Sequence, residues 1–160
     1  MLKRGSVLDL TRGKVTRVQN PVRHQVVITM RFYPRFVPRE QADAYIRALA
    51  PAAELFSEFK ERQRKLANHN SAFYLVKYEE RFALTPAGIQ ELKKLSELSK
   101  TQDVTLICQC QDFERCHTDL LLLMARKYFQ APIQGPIFDY PDFTRRLTEA
   151  PEPEDLSRGA

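Results

Sequence analysis

The sequence has no hydrophobic run long enough to cross a membrane. Its longest apolar run, Leu120 to Ala125, has six residues, whereas a transmembrane helix needs about 20. The chain begins Met-Leu-Lys-Arg and then turns polar, without the apolar segment that marks a secretory signal. We therefore predict a cytoplasmic protein that has no membrane partner.

Internal repeats, low-complexity tracts and Lys/Arg-rich runs of five or more residues are also absent. The 160 residues are 43% hydrophobic and 28% charged, which is the composition of an ordinary globular domain. We expect a single domain over residues 1–145. Residues 146–160 are predicted to form a flexible acidic tail, because proline and acidic residues dominate there.

Positive charge is concentrated in the first quarter of the chain. Residues 1–40 contain nine Lys or Arg and two acidic residues, a net charge of +7. A basic segment of this kind suits an anionic partner such as a nucleotide, a phosphate or a nucleic acid. The alternative is a solvated basic surface without a partner. The basic residues are Lys3, Arg4, Arg12, Lys14, Arg17, Arg23, Arg31, Arg35 and Arg39.

Two segments rich in β-branched and apolar residues, 25–33 and 103–108, have the composition of buried strands in a parallel sheet. We predict a further strand at 6–10 and helices at 39–49, 55–66, 73–82, 86–100 and 115–129. Strands that alternate with helices indicate an α/β domain, with a mostly parallel sheet flanked by helices. Such sheets bind ligands beyond the carboxyl ends of their strands, and the loops after the two buried strands both begin there.

All three cysteines lie in the second of these loops. Asp112 is predicted to cap the following helix, which would place Cys116 and His117 in the first helical turn. The helix dipole lowers the pKa of a thiol at such a position, so Cys110 and Cys116 are candidate nucleophiles and His117 is a candidate acid or base. Cys108 ends the buried strand and is interpreted as a small apolar core residue.

Three arginines are candidate ligand-binding residues. Arg31 and Arg35 follow the first buried strand, and Arg115 follows the second. Because an arginine can bind phosphate or carboxylate through two hydrogen bonds, the three together would suit an anionic ligand. Arg31 and Arg35 could instead form structural ion pairs with Glu40 or Asp43.

A metal ion is the other chemistry that these residue types allow. Three cysteines and His117 are all metal ligands, but the spacing C-x-C-x5-C-H is not a common zinc spacing. Cys116 and His117, as neighbours on a helix, would point about 100° apart. The sequence therefore predicts no metal and no cofactor.

The stretch from Cys110 to Arg115 resembles the active-site loop of rhodanese-type sulfurtransferases. In those enzymes a cysteine and an arginine are separated by four residues, and the arginine closes a cradle of amides around a persulfide. The present loop lacks the usual glycine. The resemblance implies sulfur transfer or redox chemistry as an alternative function.

The longer run LICQCQDFERCHTDLL resembles the signature of the bacterial and archaeal "domain of unknown function 488" family. Cys108, Cys116 and His117 match that signature, whereas Cys110 stands where the family usually has an acid and Thr118 where it usually has arginine. Further resemblances upstream involve Arg31, Pro34, Arg35, Tyr74 and Tyr78. The likeness covers about residues 24–129, and it implies an α/β domain whose two matching loops converge.

These observations favour a small protein that binds an anionic ligand, a nucleotide or phosphate, at a Cys-His/Arg pocket where thiol chemistry could occur. A non-catalytic module that binds nucleic acid or protein is an alternative, as is the sulfurtransferase. Whether the protein is an enzyme, and its oligomeric state, are left open at this point.

Overall fold

The computed structural model describes residues 1–16 and 24–150. Within them four strands form one parallel sheet in the order β1-β4-β2-β3. The strands are β1 Leu2–Ser6, β2 His24–Ile28, β3 Ala44–Tyr45 and β4 Asp103–Cys108. The helices are α1 Val7–Thr11, α2 Ala53–Leu66, α3 His69–Leu75, α4 Tyr78–Arg81, α5 Pro86–Leu98, α6 His117–Phe129 and α7 Pro141–Glu149. The predicted α/β class and parallel sheet are confirmed.

A hydrophobic core covers each face of the sheet, and the side chains of β2 and β4 point alternately into the two cores. Val27 and Leu106 belong to the larger core under the helices. Ile28 and Ile107 belong to a smaller core on the opposite face. Two-sided burial explains why consecutive residues are apolar at 26–28 in β2 and at 106–108 in β4.

The strand predicted at residues 6–10 is wrong. β1 ends at Ser6, which caps α1: the Ser6 hydroxyl accepts a hydrogen bond from the Asp9 amide, and the Asp9 carboxylate accepts one from the Ser6 amide, both at 3.0 Å. This reciprocal capping box starts a helix where apolar composition suggested a strand. It also brings the chain to the carboxyl edge of the sheet beside Cys108, the register partner of Ser6.

The helix predicted at residues 39–49 is also wrong. Two single 3₁₀ turns, Arg39–Gln41 and Arg47–Leu49, flank the short edge strand β3. Asp43 accounts for the difference, because its carboxylate accepts a hydrogen bond from the Val26 amide at 2.7 Å and its own amide donates to the Val26 carbonyl at 2.8 Å. Pairing with the edge of β2 thus replaces helical hydrogen bonds in this segment.

The single helix predicted at residues 73–82 is two helices, α3 and α4. Lys77 interrupts them with a left-handed backbone conformation (φ 56°). The interruption turns Tyr78 into the core while Tyr74 stays exposed, so the two tyrosines do not share a face. The helix predicted at 86–100 is confirmed as α5, and the Thr85 hydroxyl caps it by accepting a hydrogen bond from the Gly88 amide at 3.2 Å.

The last described helix, α7, docks on the body of the domain through Phe143 and Leu147, both buried. The tail predicted from residue 146 thus begins inside this helix. Residues 151–160 lie outside the described part of the chain, and so do Arg17 and Arg23 of the basic segment 1–40. The boundary between domain and tail at residue 145 stays a prediction. None of the described helices is both long and apolar enough to cross a membrane.

Candidate functional site

The loop that carries the cysteines runs from the end of β4 to the start of α6. α6 begins at His117, and Cys116 is its N-cap with an extended backbone (φ −148°, ψ 150°). The predicted cap at Asp112 is therefore wrong. Residues 111–114 form a turn instead, in which the Glu114 amide donates to the Gln111 carbonyl at 2.9 Å and the Glu114 carboxylate accepts from the Gln111 amide at 2.7 Å.

The three cysteines and His117 form one cluster at the carboxyl edge of the sheet. The three sulfur atoms all lie within 4.8 Å of one another, and those of Cys108 and Cys110 are 3.8 Å apart. Nδ1 of His117 lies 3.7 Å from the sulfur of Cys108 and 3.7 Å from that of Cys116. The other ring nitrogen, Nε2, donates to the Thr29 carbonyl at 2.9 Å, which fixes the ring with Nδ1 facing the sulfurs.

Charge within the cluster is distributed unevenly. Hydrogen bonds from the thiols of Cys110 and Cys116, with a further contribution from His117, hold the pKa of Cys108 well below its ordinary value. Cys110, which donates to that thiolate, has a pKa well above its ordinary value. Burial alone would lower the pKa of His117, but its contacts with the sulfurs of Cys108 and Cys116 raise it well above the usual value. The ionised form of Cys108 and the protonated form of His117 therefore stabilise each other.

Arg4, on β1, braces the cysteine loop from one side. Its guanidinium donates to the backbone carbonyls of Gln111 and Glu114 and forms an ion pair with the buried Asp119 at 2.8 Å. A Tyr140 hydroxyl also donates to the Asp119 carboxylate. In the sequence Arg4 is one of nine basic residues that suit an anionic partner, and nothing local distinguishes it, because its partners lie more than 100 residues away in the chain.

The start of α3 braces the same loop from the other side. Nε2 of His69 donates to the Arg115 carbonyl at 2.7 Å. The Asn70 side chain accepts from the Arg115 amide at 2.8 Å and donates to the Phe113 carbonyl at 3.2 Å. With bonds from two directions, the loop has a fixed conformation, which is a requirement for holding reactive side chains in place.

A cavity of about 340 Å³ lies directly above the cluster. Both loops singled out by the sequence contribute to it: Arg31 and Arg35 come from the loop after β2, and Arg115 from the loop after β4. Cys108, Cys110, Cys116 and His117 line it as well. Most of the remaining wall is aromatic and consists of Phe32, Tyr33, Phe36, Phe56, Phe59, Phe73 and Tyr78.

Arg115 and Arg31 are held differently, and Arg35 is exposed. Arg115 donates to the Asp139 carbonyl, and its guanidinium carbon lies 5.2 and 5.0 Å from the ring centres of Phe138 and Tyr140. It is therefore anchored to the wall. Arg31 lies 3.5 Å from the Pro51 carbonyl, a long contact, and its own carbonyl is held by the Tyr45 hydroxyl at 2.8 Å.

Tyr78 and Lys60 line the cavity although sequence analysis gave neither a role there. Tyr78 is buried and stacks on Phe73 with 4.3 Å between ring centres. Burial, together with the charge of the cysteines, raises the pKa of Tyr78 well above its ordinary value, so its hydroxyl stays protonated. The aromatic content of residues 73–82 was the available signal, but periodicity alone could not show that Tyr78 faces a cavity.

The protein is thus an α/β domain with a cavity at the carboxyl edge of its parallel sheet. The loop with the cysteines and His117 forms the floor of this cavity, and its walls carry aromatic and arginine side chains. A family model described as the active DUF488-N3 subclade, DUF488-N3a, matches residues 12–128. The chain belongs to this family, and the resemblance drawn from its cysteine signature is confirmed. Thr118, where the family signature usually has arginine, is fully buried. No curated protein and no solved structure matches the chain.

Proposed function

We propose that the protein binds a small anionic ligand that carries an aromatic ring, a mononucleotide being the fitting class. One observation carries the proposal. The cavity combines Arg31 and Arg35 with a wall of aromatic side chains, and those are the groups that recognise a phosphate and a base respectively.

The size and the exposure of the cavity support this class of ligand. Its volume of about 340 Å³ falls within the range of small-molecule sites. Two large apolar side chains that line the cavity are open to solvent: Phe36 is 89% exposed and Phe32 is 63% exposed. A planar ring that stacks on them would remove this apolar surface from water, which is favourable.

Thiol chemistry on the bound ligand is the second part of the proposal. The sequence hypothesis named Cys110 and Cys116 as the thiols, with His117 as acid or base. The structure adds Cys108 as the favoured thiol: its sulfur lies 3.7 Å from Nδ1 of His117 and 3.8 Å from the sulfur of Cys110, and these neighbours lower its pKa. A thiolate beside an imidazolium is an activated nucleophile. Three free cysteines also suit the reducing cytoplasm, where we place the protein.

The two alternatives drawn from the sequence have less support. A nucleic-acid module needs its cations on the surface, yet Arg4 is buried in an ion pair with Asp119, and Lys3 pairs with Asp103 at 3.0 Å. A rhodanese-type cradle needs Arg115 over Cys110, whereas Arg115 donates to the Asp139 carbonyl. We therefore propose neither as the function.

Titration of AMP into the protein, followed by calorimetry, tests the proposed ligand class. We expect saturable binding that weakens by about 10- to 100-fold in Arg31→Gln, which is the worth of a charge-assisted hydrogen bond. Arg126→Gln, a change at an exposed position in the last turn of α6, is the control and should leave the affinity unchanged. Adenosine and inorganic phosphate, tested separately, should each bind more weakly than AMP. Equal binding of AMP to all three proteins would rule out the cavity as the site.

A further inference from the structure

The cysteine cluster has the geometry of a metal site. Four-coordinate zinc has bonds of about 2.3 Å to sulfur and 2.0–2.1 Å to nitrogen, so its tetrahedral ligands lie about 3.8 Å apart for two sulfurs and about 3.6 Å apart for sulfur and nitrogen. Cys108 and Cys110 are 3.8 Å apart, and Nδ1 of His117 is 3.7 Å from both Cys108 and Cys116. All three sulfurs lie within 4.8 Å of one another.

We propose that Cys108, Cys110, Cys116 and Nδ1 of His117 form a closed tetrahedral site for a thiophilic divalent cation, Zn²⁺. The inference does not depend on the anionic ligand proposed above, because none of the cavity arginines takes part. The thiol chemistry proposed for Cys108 belongs to the metal-free protein, since a closed zinc site would leave that sulfur coordinated. Three cysteines and one histidine are a ligand set of structural zinc sites. A closed set of this kind would tie the end of β4 to the start of α6.

The observed start of α6 removes the argument against a metal site that was drawn from the directions of Cys116 and His117. Cys116 and His117 would point about 100° apart if both were helical. Because Cys116 is instead the extended N-cap, its sulfur and Nδ1 of its neighbour come within 3.7 Å. The spacing C-x-C-x5-C-H is therefore compatible with joint ligation, even though it is not a common zinc spacing.

The surroundings of the cluster supply what a metal-bound histidine and several thiolates require. A ligating histidine usually donates its second ring N–H to a carbonyl or carboxylate, and Nε2 of His117 donates to the Thr29 carbonyl at 2.9 Å. Three thiolates leave a net negative charge around Zn²⁺, and the nearby Arg4 guanidinium, whose charge acts on Cys116 and Cys110, opposes it. When Zn²⁺ binds, the proton on Nδ1 of His117 and the protons of the thiols that are still protonated are released to solvent.

The test is metal titration of the full chain, purified with a reductant and stripped with a chelator. In competition with a chromophoric chelator, Zn²⁺ should bind one ion per chain. Co²⁺ in its place should give thiolate-to-cobalt charge-transfer absorption and the visible bands of tetrahedral cobalt. Cys110→Ser should weaken Zn²⁺ binding by at least about 100-fold and His117→Gln by at least about tenfold, since even changes outside the ligand shell cost 10- to 100-fold. Gln109→Ser, an exposed position between two of the ligands, is the matched control.

Three outcomes would overturn the inference: binding that Cys110→Ser leaves unchanged, a cobalt spectrum without thiolate absorption, or a reduced protein that takes up no zinc. The wild-type cobalt spectrum needs no variant, so it decides the question even if Cys110→Ser fails to fold. AMP binding to the stripped protein is measured separately, so failure of the metal site and failure of the ligand site are distinguishable.

Discussion

In the metal-free, reduced protein, iodoacetamide is expected to label Cys108 before Cys110 and Cys116 at neutral pH. Alkylation requires the thiolate, and the thiols of Cys110 and Cys116 together with His117 keep the pKa of Cys108 low. Cys108 lines the cavity, so the reagent has a route to it. Trypsin cleaves after Arg115 and places Cys116 on a separate peptide, and fragmentation then distinguishes Cys108 from Cys110.

The His117→Gln variant should slow this labelling by about tenfold or more, because an unassisted thiol is only a few per cent ionised at pH 7. His24→Gln is the control, since His24 contacts Thr105 and not the cluster. First labelling at Cys110 or Cys116, or a rate at Cys108 that His117→Gln does not change, would contradict the assignment. The hypothesis drawn from the sequence, which made Cys110 or Cys116 the nucleophile, would then be preferred.

Replacement of Arg4 by methionine is expected to lower the free energy of unfolding by about 3–5 kcal/mol, the usual cost of leaving one member of a buried ion pair alone. Asp119 would lose the guanidinium that opposes the rise of its pKa on burial, and the carbonyls of Gln111 and Glu114 would lose their donor. Urea unfolding monitored by circular dichroism measures the change.

Lys3→Met, one residue earlier on the same strand, provides the matched control. Its pair with Asp103 is about one-third exposed on both sides, and such pairs contribute at most about 1 kcal/mol. Losses of equal size in the two variants would show that Arg4 does not brace the loop. A large loss in Arg4→Met alone, with slower Cys108 labelling, would link the brace to the reactivity of the cluster.

Local composition was enough to predict the two central strands, β2 and β4, whereas the outer strands depend on long-range pairing. The apolar, β-branched run at residues 103–108 specifies a strand buried on both faces, and it is one. The segment 39–49 has helix-compatible composition, yet Asp43 pairs with the backbone of Val26 and makes it an edge strand. Such a bond depends on the neighbouring strand and leaves no trace in the periodicity of the segment.

The same distinction applies to the site. Parallel-sheet topology places the loops of Arg31 and Arg115 at one edge, so their meeting around a cavity follows from the order of the elements. The braces Arg4, His69 and Asn70 could not be inferred, because each acts on a backbone group of a distant segment. The role proposed for Cys108 could not be inferred for a different reason. A buried strand end is typical of a core cysteine, and only the position of His117, 3.7 Å away, suggests that this cysteine is reactive.

The central claim is that the cavity and the cysteine cluster form one site, and protection of Cys108 by AMP tests it most directly. The measurement is the rate of carbamidomethylation of Cys108 in stripped protein, without AMP and with AMP at ten times its dissociation constant. If the ligand occupies the cavity, the rate should fall to about one-tenth, the fraction of protein left free by mass action, and Arg31→Gln at the same AMP concentration should show little protection. A rate that stays unchanged while calorimetry shows AMP bound would place the ligand elsewhere and contradict the account.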